Sequence, residues 1–213
     1  ELPTPVTLRD GWIAIYIDYY ASNYGWFYWW GSDDGDLFGW QWMWDSGDEP
    51  IDDDLAFALI GQGWNVKMHY PQWPDEDGWD VRATTPVIVA DDWQCTETGY
   101  ITGIHWWGSW QDDAVGELNG FWLSIYADIP AEESDTGYSM PGELLWERYV
   151  PIDEIEVTPI ESPYPEGWYD PDCEYWECCD HSTYFQYDYV DIPDPFLQEE
   201  GTIYWLGIRA NVT

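Results

Sequence analysis

The sequence predicts an all-β sandwich of the jelly-roll type, carrying an N-terminal tryptophan-rich hairpin. Short segments rich in aromatic and β-branched residues alternate with Gly, Pro, Asp and Ser along the chain, as strands alternate with turns. No stretch keeps a helical period over three turns. With 213 residues, of which 19 are Trp and 17 are Tyr, the chain has ample apolar surface for a core of its own.

Ten strands are predicted in chain order, the first of which alternates around Ile13, Ile15 and Ile17. The segments are residues 8–20, 26–30, 40–44, 55–60, 86–90, 101–107, 121–127, 144–150, 184–190 and 202–210. Two proline-rich stretches, residues 71–80 and 159–172, are predicted as ordered loops lying on the sandwich. We divide the chain into residues 1–50, packed on or exchanged with the main domain, and the sandwich domain of residues 51–213.

The charge is strongly unbalanced, with 43 Asp and Glu against 5 Lys and Arg and a formal net charge of −38. Such a chain lacks the basic surface that nucleic acids require, and it is unsuited to anionic membranes. Self-repulsion of this size destabilises a compact state, so we expect screening from outside the chain. Bound calcium is the simplest candidate, whereas no haem or nucleotide motif is present.

Six aromatic residues in the first 50 form two alternating sets, which place their rings on one face of each strand. Paired as a hairpin, the two strands would build a wall of indoles. The wall suits either a sugar-stacking platform or a surface buried in the core or against another subunit. We favour burial, because six contiguous rings exceed what a sugar platform needs. The residues are Trp26, Tyr28, Trp30, Trp40, Trp42 and Trp44.

Acidic residues in turns are the candidate cation ligands. Asp33, Asp34 and Asp36 lie in the turn between the tryptophan strands, without the spacing of a calcium loop. Asp91 and Asp92 directly follow a predicted buried strand and are the best single candidate. The alternative is that these aspartates only form turns, which is their common role.

The four cysteines, Cys95, Cys173, Cys178 and Cys179, are even in number, and three fall within seven residues. Two disulfides are favoured in a secreted chain. Adjacent cysteines seldom bond to each other, so we expect Cys95 to pair with one member of the cluster and the other two to close a local loop. Zinc binding by the cluster with His181 is the alternative, although the spacing is not a usual zinc motif.

Secretion is expected from several features. The chain starts at Glu1 without Met, as a processed product would, and the sequon Asn211-Val-Thr213 offers a glycosylation site. No run of 18 apolar residues predicts membrane insertion. Nucleophile, metalloprotease and phosphate-loop motifs are absent from the sequence, so no catalytic residue is assigned. A glycosidase pair of carboxylates cannot be found or excluded among 43 acids.

Four segments resemble an uncharacterised domain family of secreted and surface multidomain proteins from planctomycetes and other environmental microbes. They are ADDWQCTETGYITGIHWWGSW, IYADIPAEESDTGYSMPGELLW, EGWYDP and EEGTIYWLGIRA, and the resemblance covers roughly residues 71–210. It implies an exported β-rich module with no established activity. The family carries a cysteine just before the strand that reads YFQYDY here, where this chain has Tyr184 instead. The nearest cysteines, Cys178 and Cys179, are the natural substitutes, so the resemblance implies one of them as the partner of Cys95.

Together these features lead us to expect a non-enzymatic extracellular structural protein. It would be a subunit of a filament, sheath or surface layer that self-assembles through aromatic surfaces, with cation bridges between subunits. A carbohydrate-binding module that uses the tryptophan face is the alternative. A glycan-active enzyme is a third and weaker interpretation.

Overall fold

The computed structural model describes residues 27–29, 31–32, 39–43, 47–51, 54–60, 68, 71–75, 78–83, 87–170 and 175–213. The described chain is built from sixteen strands and two short 3₁₀ turns, Gln111–Asp113 and Ile152–Glu154. In chain order the strands are β1 (Phe27–Trp29), β2 (Gly31–Ser32), β3 (Gly39–Met43), β4 (Gly47–Ile51), β5 (Asp54–Leu55), β6 (Phe57–Ile60), β7 (Trp79–Arg82), β8 (Val87–Gln94), β9 (Gly99–Tyr100), β10 (Gly103–Trp110), β11 (Leu118–Ile129), β12 (Met140–Pro151), β13 (Glu156–Asp170), β14 (Tyr175–Val190), β15 (Leu197–Gln198) and β16 (Ile203–Val212).

Two six-stranded sheets form the sandwich. The first has the order β1-β7-β13-β14-β10-β6, and the second has the order β12-β11-β16-β8-β3-β4. Two small two-stranded sheets, β15-β9 and β2-β5, complete the described strands. The prediction of an all-β sandwich is therefore confirmed.

Strand β1 has two partners in the first sheet, since it pairs with both β7 and β10. Strands β1, β7, β13, β14 and β10 therefore make a closed circuit of paired strands. The pairing of β7 with β13 is parallel, and the other pairs between described strands are antiparallel. The parallel pair brings β7 against the end of the long β13–β14 hairpin.

Large aromatic side chains join the two sheets. Trp106 of β10 stacks on Tyr187 of β14 with ring centroids 5.5 Å apart, and its edge meets Phe121 of β11 at 5.0 Å. Trp106 and Phe121 are fully buried, and Tyr187 nearly so. Because β10 and β14 belong to one sheet and β11 to the other, these rings fill the space between the layers.

Predicted strands after residue 54 are all found, but one predicted loop is wrong. Residues 159–172 were expected as a loop because of their prolines, whereas β13 runs through Pro159 to Asp170. Within β13, only Gly167–Tyr169 pair with β7, so among the described strands the preceding part of β13 is an edge, where proline is tolerated. The predicted strand of residues 8–20 lies outside the described residues.

The predicted pairing of the two tryptophan strands is also wrong. Strand β3, which carries Trp40 and Trp42, forms its hairpin with β4 and pairs on its other side with β8. Strand β1 lies in the other sheet between β7 and β10. Each of the two strands pairs with a neighbour on both sides, so each is an interior strand of a sheet and not half of a two-stranded ribbon. The division of the chain at residue 50 stays a prediction.

The described residues contain no helix with the length and apolar character needed to cross a membrane.

Candidate functional site

The candidate site is a buried group of three ionisable side chains, Asp80, Glu166 and His181, here called the carboxylate–histidine cluster. It lies where β7, β13 and β14 meet, and one potential ligand atom from each residue falls within 4.8 Å of the others. The residues are 0, 4 and 3% exposed, respectively. Burial of three ionisable groups together is costly unless charges and hydrogen bonds compensate, so their proximity needs a physical account.

A β-bulge between β13 and β14 creates the cluster. Glu166 pairs with His181 and Trp168 pairs with Glu177, so Gly167 alone opposes residues 178–180. Within this bulge Cys179 has a φ of 62°, in the left-handed region that non-glycine residues rarely adopt. Bulges re-aim the side chains beside them, and this one leads directly into His181.

Gly167 is required by the close approach of the two strands at the bulge. A Cβ atom built there would lie 2.4 Å from the carbonyl oxygen of Glu177 and 2.7 Å from the Trp79 ring. Only glycine fits without a shift of the backbone. The glycine therefore permits the strand register that places Glu166 beside His181.

His181 is held between two aspartates. Its Nδ1 lies 2.5 Å from Oδ1 of Asp180, and its Nε2 lies 3.1 Å from Oδ2 of Asp80. Burial opposes a charged imidazole, but the hydrogen bonds and negative charges of Asp180 and Asp80 raise the pKa of His181 to about 10. The ring is thus fixed in orientation, with Nδ1 toward Asp180 and Nε2 toward the cluster.

Asp80 accepts a hydrogen bond on Oδ2 from the hydroxyl of Ser109 in β10. Its other oxygen, Oδ1, is buried without a hydrogen-bond partner among the described residues. Burial raises the pKa of Asp80 in spite of the favourable contacts with His181 and Ser109. One oxygen is therefore anchored, while the other is left available.

Glu166 is the least satisfied member of the cluster. Both of its carboxylate oxygens are buried and make no hydrogen bond of good geometry within the described part of the chain, although the Ser162 side chain lies near enough to favour the ionised form. Burial, together with the negative charge of Asp80, raises the pKa of Glu166 to about 8. The surroundings of Glu166 therefore disfavour its ionised form.

An ion pair lies on the same strands. Arg82 Nη1 is 2.6 Å from Oδ2 of Asp170, and Asp170 is fully buried. Arg82 of β7 is thus ion-paired with the last residue of β13. The negative charge of Asp170 is thus compensated by a neighbouring arginine. No such ion pair with Lys or Arg is found among the described residues for Glu166, four residues earlier in the same strand.

Five aromatic residues surround the end of the β13–β14 hairpin and are here called the aromatic tip: Trp79, Trp168, Tyr169, Tyr175 and Trp176. The Tyr169 and Trp176 rings stack with centroids 3.9 Å apart, and the edge of Trp79 meets Trp176 at 5.0 Å. Trp168 contacts Tyr175 at 5.4 Å. Trp176 is 55% exposed and Tyr175 is 47% exposed. The tip is thus a cluster of rings that meets solvent directly beside the buried charges.

A family model described as a domain of unknown function, DUF7901, matches residues 68–213. The chain belongs to the DUF7901 family. The match confirms the coarser part of the resemblance, namely an uncharacterised domain over the central and C-terminal chain. No curated protein and no solved structure matches the chain. The carboxylate–histidine cluster and the aromatic tip both lie inside the DUF7901 domain, whereas β1 to β6 precede it.

Of the predicted cation ligands, only Asp91 and Asp92 fall within the described residues; Asp33, Asp34 and Asp36 lie outside them. Asp91 is fully buried in β8, and its carboxylate accepts backbone N–H groups from Leu55 at 2.5 Å and from Asp92 at 2.7 Å. These bonds account for the burial of Asp91 without a cation. A metal at this pair stays a prediction.

Three of the four cysteines are described, and Cys173 lies outside the described residues. Cys95 is buried, and its Sγ donates to the carbonyl oxygen of Glu97 at 3.4 Å. Cys178 and Cys179 are exposed in the bulge, and no disulfide joins either of them to Cys95 in this structure. The disulfide pairing therefore remains a prediction.

The predicted aromatic face is only partly placed. Tyr28 lies in β1 and Trp40 and Trp42 lie in β3, while Trp26, Trp30 and Trp44 are outside the described residues. Asn211, the predicted glycosylation site, lies half-buried in β16, with its Nδ2 3.4 Å from the hydroxyl of Tyr149. Whether it carries a glycan stays a prediction.

Sequence reasoning missed Asp80 and Glu166 and considered His181 only as a partner of the cysteines. The three residues lie far apart in the chain, at positions 80, 166 and 181. The available signal was EGWYDP, in which an acid precedes a glycine just before aromatic residues. With 41 other acidic residues in the chain, composition alone could not single out Glu166 or Asp80.

Proposed function

We propose that the chain is a non-enzymatic structural protein of the cell exterior, a subunit of a filament, sheath or surface layer. Neighbouring copies would contact one another through the aromatic tip. The observation that carries the proposal is this tip, where Tyr175 and Trp176 are about half exposed although each contacts a neighbouring ring. Contiguous exposed aromatic surface is typical of interaction sites.

The arrangement of the tip favours a protein partner over a flat ligand. Tyr175 and Trp176 are consecutive in β14, so their side chains point to opposite faces of the strand. Each has a ring neighbour on its own face, Trp168 for Tyr175 and Tyr169 for Trp176. A hairpin end with rings on both faces suits insertion between two walls of a neighbouring subunit.

Net charge decides the conditions for such contact. Two identical chains of formal charge −38 repel each other, and the repulsion is strongest at low ionic strength. Association through the tip would therefore require divalent cations or salt. Calcium bridging between acidic surfaces remains the simplest mechanism, since carboxylate oxygens are its preferred ligands.

The proposal that the chain is not an enzyme is supported by the geometry of the buried cluster. Ser109 donates its hydroxyl to Asp80, a carboxylate, whereas a serine nucleophile is most often activated by an imidazole. All three cluster residues are almost fully buried, which restricts access by a substrate.

Export is part of this proposal. It is supported by the resemblance to secreted and surface proteins of planctomycetes, by the even number of cysteines and by the sequon at Asn211. Alkylation and mass measurement of chain recovered from the outside of its native cell would test it. Two disulfides are expected, and four free thiols would contradict this part of the proposal.

The assembly is tested by sedimentation velocity of the purified chain with and without millimolar calcium. We expect calcium-dependent oligomers in the wild-type chain and their loss in Trp176→Ala. Trp73→Ala is the matched control, because Trp73 is 52% exposed and contacts Trp107 away from the tip residues. A wild-type chain that stays monomeric at high concentration with calcium sinks the proposal, as does equal loss in both variants.

Carbohydrate binding is the second candidate function, and the ring contacts that hold Trp176 in place favour it. Tyr169 stacks on the Trp176 ring, and Trp79 contacts the same ring in a T-shaped arrangement. More than half of Trp176 nevertheless remains exposed. An indole that is held by two neighbouring rings and remains more than half exposed is a suitable stacking surface for a sugar ring. Quenching or shift of tryptophan fluorescence by a neutral polysaccharide, abolished in Trp176→Ala and retained in Trp73→Ala, would favour this function over assembly.

A further inference from the structure

We propose that Asp80, Glu166 and His181 form a binding site for a divalent transition-metal ion, for which zinc is the representative probe. The three residues come from three strands and converge in the interior beside the β13–β14 bulge. This site is separate from the acidic turns and surfaces to which calcium was assigned, and it does not depend on assembly or glycan binding.

The first support is the presence of buried carboxylate oxygens that lack partners. Both oxygens of Glu166 and Oδ1 of Asp80 make no hydrogen bond of good geometry among the described residues, although these side chains are 4 and 0% exposed; only the Ser162 side chain lies near enough to Glu166 to favour its ionised form. Buried polar groups are nearly always satisfied in folded proteins, and an unsatisfied carboxylate is among the most costly. A cation between the three oxygens and His181 would satisfy them together.

The second support is the way in which the other atoms of the cluster are held. The Nδ1 atom of His181 lies 2.5 Å from Asp180, which leaves Nε2 on the side of Asp80 and Glu166. Metal-binding histidines commonly donate their second nitrogen to a carboxylate in this manner. Asp80 is likewise oriented by the hydroxyl of Ser109. Two of the three proposed ligands are therefore positioned by a residue outside the set.

The chemistry of the donors selects the class of metal. One imidazole nitrogen with two carboxylates suits zinc, manganese or iron, for which mixed nitrogen and oxygen ligands are usual. Calcium takes six to eight oxygen ligands, more than this set supplies. The same argument disfavours magnesium, which prefers oxygen and retains several waters.

Burial gives the ion a structural role. The three side chains are at most 4% exposed, so an ion there would link β7, β13 and β14 out of reach of a substrate. Trp79 directly precedes Asp80, and Trp168 lies two residues after Glu166. The ion would thus fix the base of the aromatic tip.

The test uses the intact chain, stripped of metal with a chelator and kept reduced, with zinc chloride as the probe. At free zinc about 100-fold above its dissociation constant, linkage predicts a rise in Tm of about 5–10 °C for a chain of this size. Glu166→Gln, which keeps the shape of the side chain, should lose this rise. Glu161→Gln is the matched control, since Glu161 is exposed on the same strand, and it should behave as the wild type.

Cysteine is the competing zinc ligand, because Cys178 and Cys179 adjoin the cluster. The double variant Cys178→Ser, Cys179→Ser should bind one zinc per chain in equilibrium dialysis and keep the Tm rise. Calcium chloride should raise the Tm far less than zinc does at the same concentration. Absence of bound zinc in the double variant overturns the proposal, and so does a zinc-induced rise in Glu166→Gln equal to that of the wild type.

Discussion

Strand β14 passes through two interiors of opposite character. Around Tyr187 it contributes to an aromatic core, where Trp106 and Phe121 fill the space between the sheets. Around His181 it contributes to the carboxylate–histidine cluster, where two carboxylates are buried beside the ring. The aromatic core is held by apolar contacts, which need no counter-charge, although Nε1 of Trp106 is buried without a hydrogen-bond partner among the described residues. The cluster keeps polar atoms that the described residues leave unpaired, so its burial calls for a function or a ligand.

The largest expected effect is in the aromatic core. Trp106→Ala removes a fully buried ring that stacks on Tyr187 and meets Phe121 edge-on, and should lower the free energy of unfolding by roughly 3–5 kcal/mol. Urea unfolding followed by circular dichroism measures it. Trp73→Ala, which truncates a half-exposed indole, should cost less than about 1 kcal/mol. Similar losses in the two variants would mean that the sandwich core does not depend on this stack.

The next effect tests the bulge that separates the two interiors. Gly167→Ala places a Cβ 2.4 Å from the carbonyl oxygen of Glu177, and the shift needed should cost about 1–3 kcal/mol of unfolding free energy. It should also abolish the zinc-induced rise in Tm, because Glu166 moves relative to His181.

Gly137→Ala provides the comparison for this variant. Its Cβ would meet nothing within 4 Å, and only the φ of 79° opposes the substitution. The expected cost is about 1 kcal/mol, with zinc binding unchanged. If both alanine variants keep full zinc binding, the bulge does not control the cluster.

A smaller effect is expected at a half-buried pair that resembles the cluster but is fully partnered. Burial opposes ionisation of Asp188, yet hydrogen bonds from His105 and Gln186 lower its pKa in the folded chain. Its contribution to stability is therefore present above the pKa of an unfolded aspartate, about 3.9, and is lost as the pH falls through the lower folded value.

Asp188→Asn should cost roughly 1–2 kcal/mol of unfolding free energy at pH 7. The difference from the wild type should shrink as the pH falls below about 4, in unfolding curves measured from pH 7 to pH 3. A difference that is unchanged at pH 3 would show that the charge of Asp188 is not what stabilises the pair.

The smallest effect is expected for an exposed ion pair. Arg148 lies 3.5 Å from Asp194, whose side chain is largely exposed. Solvent screens such pairs, so Asp194→Asn should change the unfolding free energy by less than about 0.5 kcal/mol. A loss as large as that of Asp188→Asn would contradict the distinction between buried and exposed charges.

The sequence predicted the aromatic core better than the cluster, for a physical reason. Tyr187 and Tyr189 alternate with polar residues at the period of a strand, and the predicted strand of residues 184–190 lies within β14. The period breaks at the bulge, where three residues of β14 oppose Gly167. Alternation cannot predict which side chains point inward beyond such a break, so the prediction stopped at Tyr184 and missed His181.

Long-range pairing set the second limit. The parallel contact of β7 with β13 joins residues about ninety positions apart, and no local pattern indicates it. Asp80 reaches the cluster only through that contact. The predicted pairing of the tryptophan segments was wrong for the same reason. Strand β1 pairs with β7 and β10, both of which lie far from it in the sequence.

The closed circuit of the first sheet has a consequence for the order of folding. Its closing strand, Phe27–Trp29, precedes both of its neighbours in the chain, and these end at Arg82 and Trp110. The circuit also contains β13 and β14, so it cannot close until β14 is complete at Val190, and such distant contacts slow folding. Until then β7 and β10 each keep an exposed edge, which can recruit the same strand from another nascent chain. Newly made copies held close together could thus exchange this strand before either has finished folding.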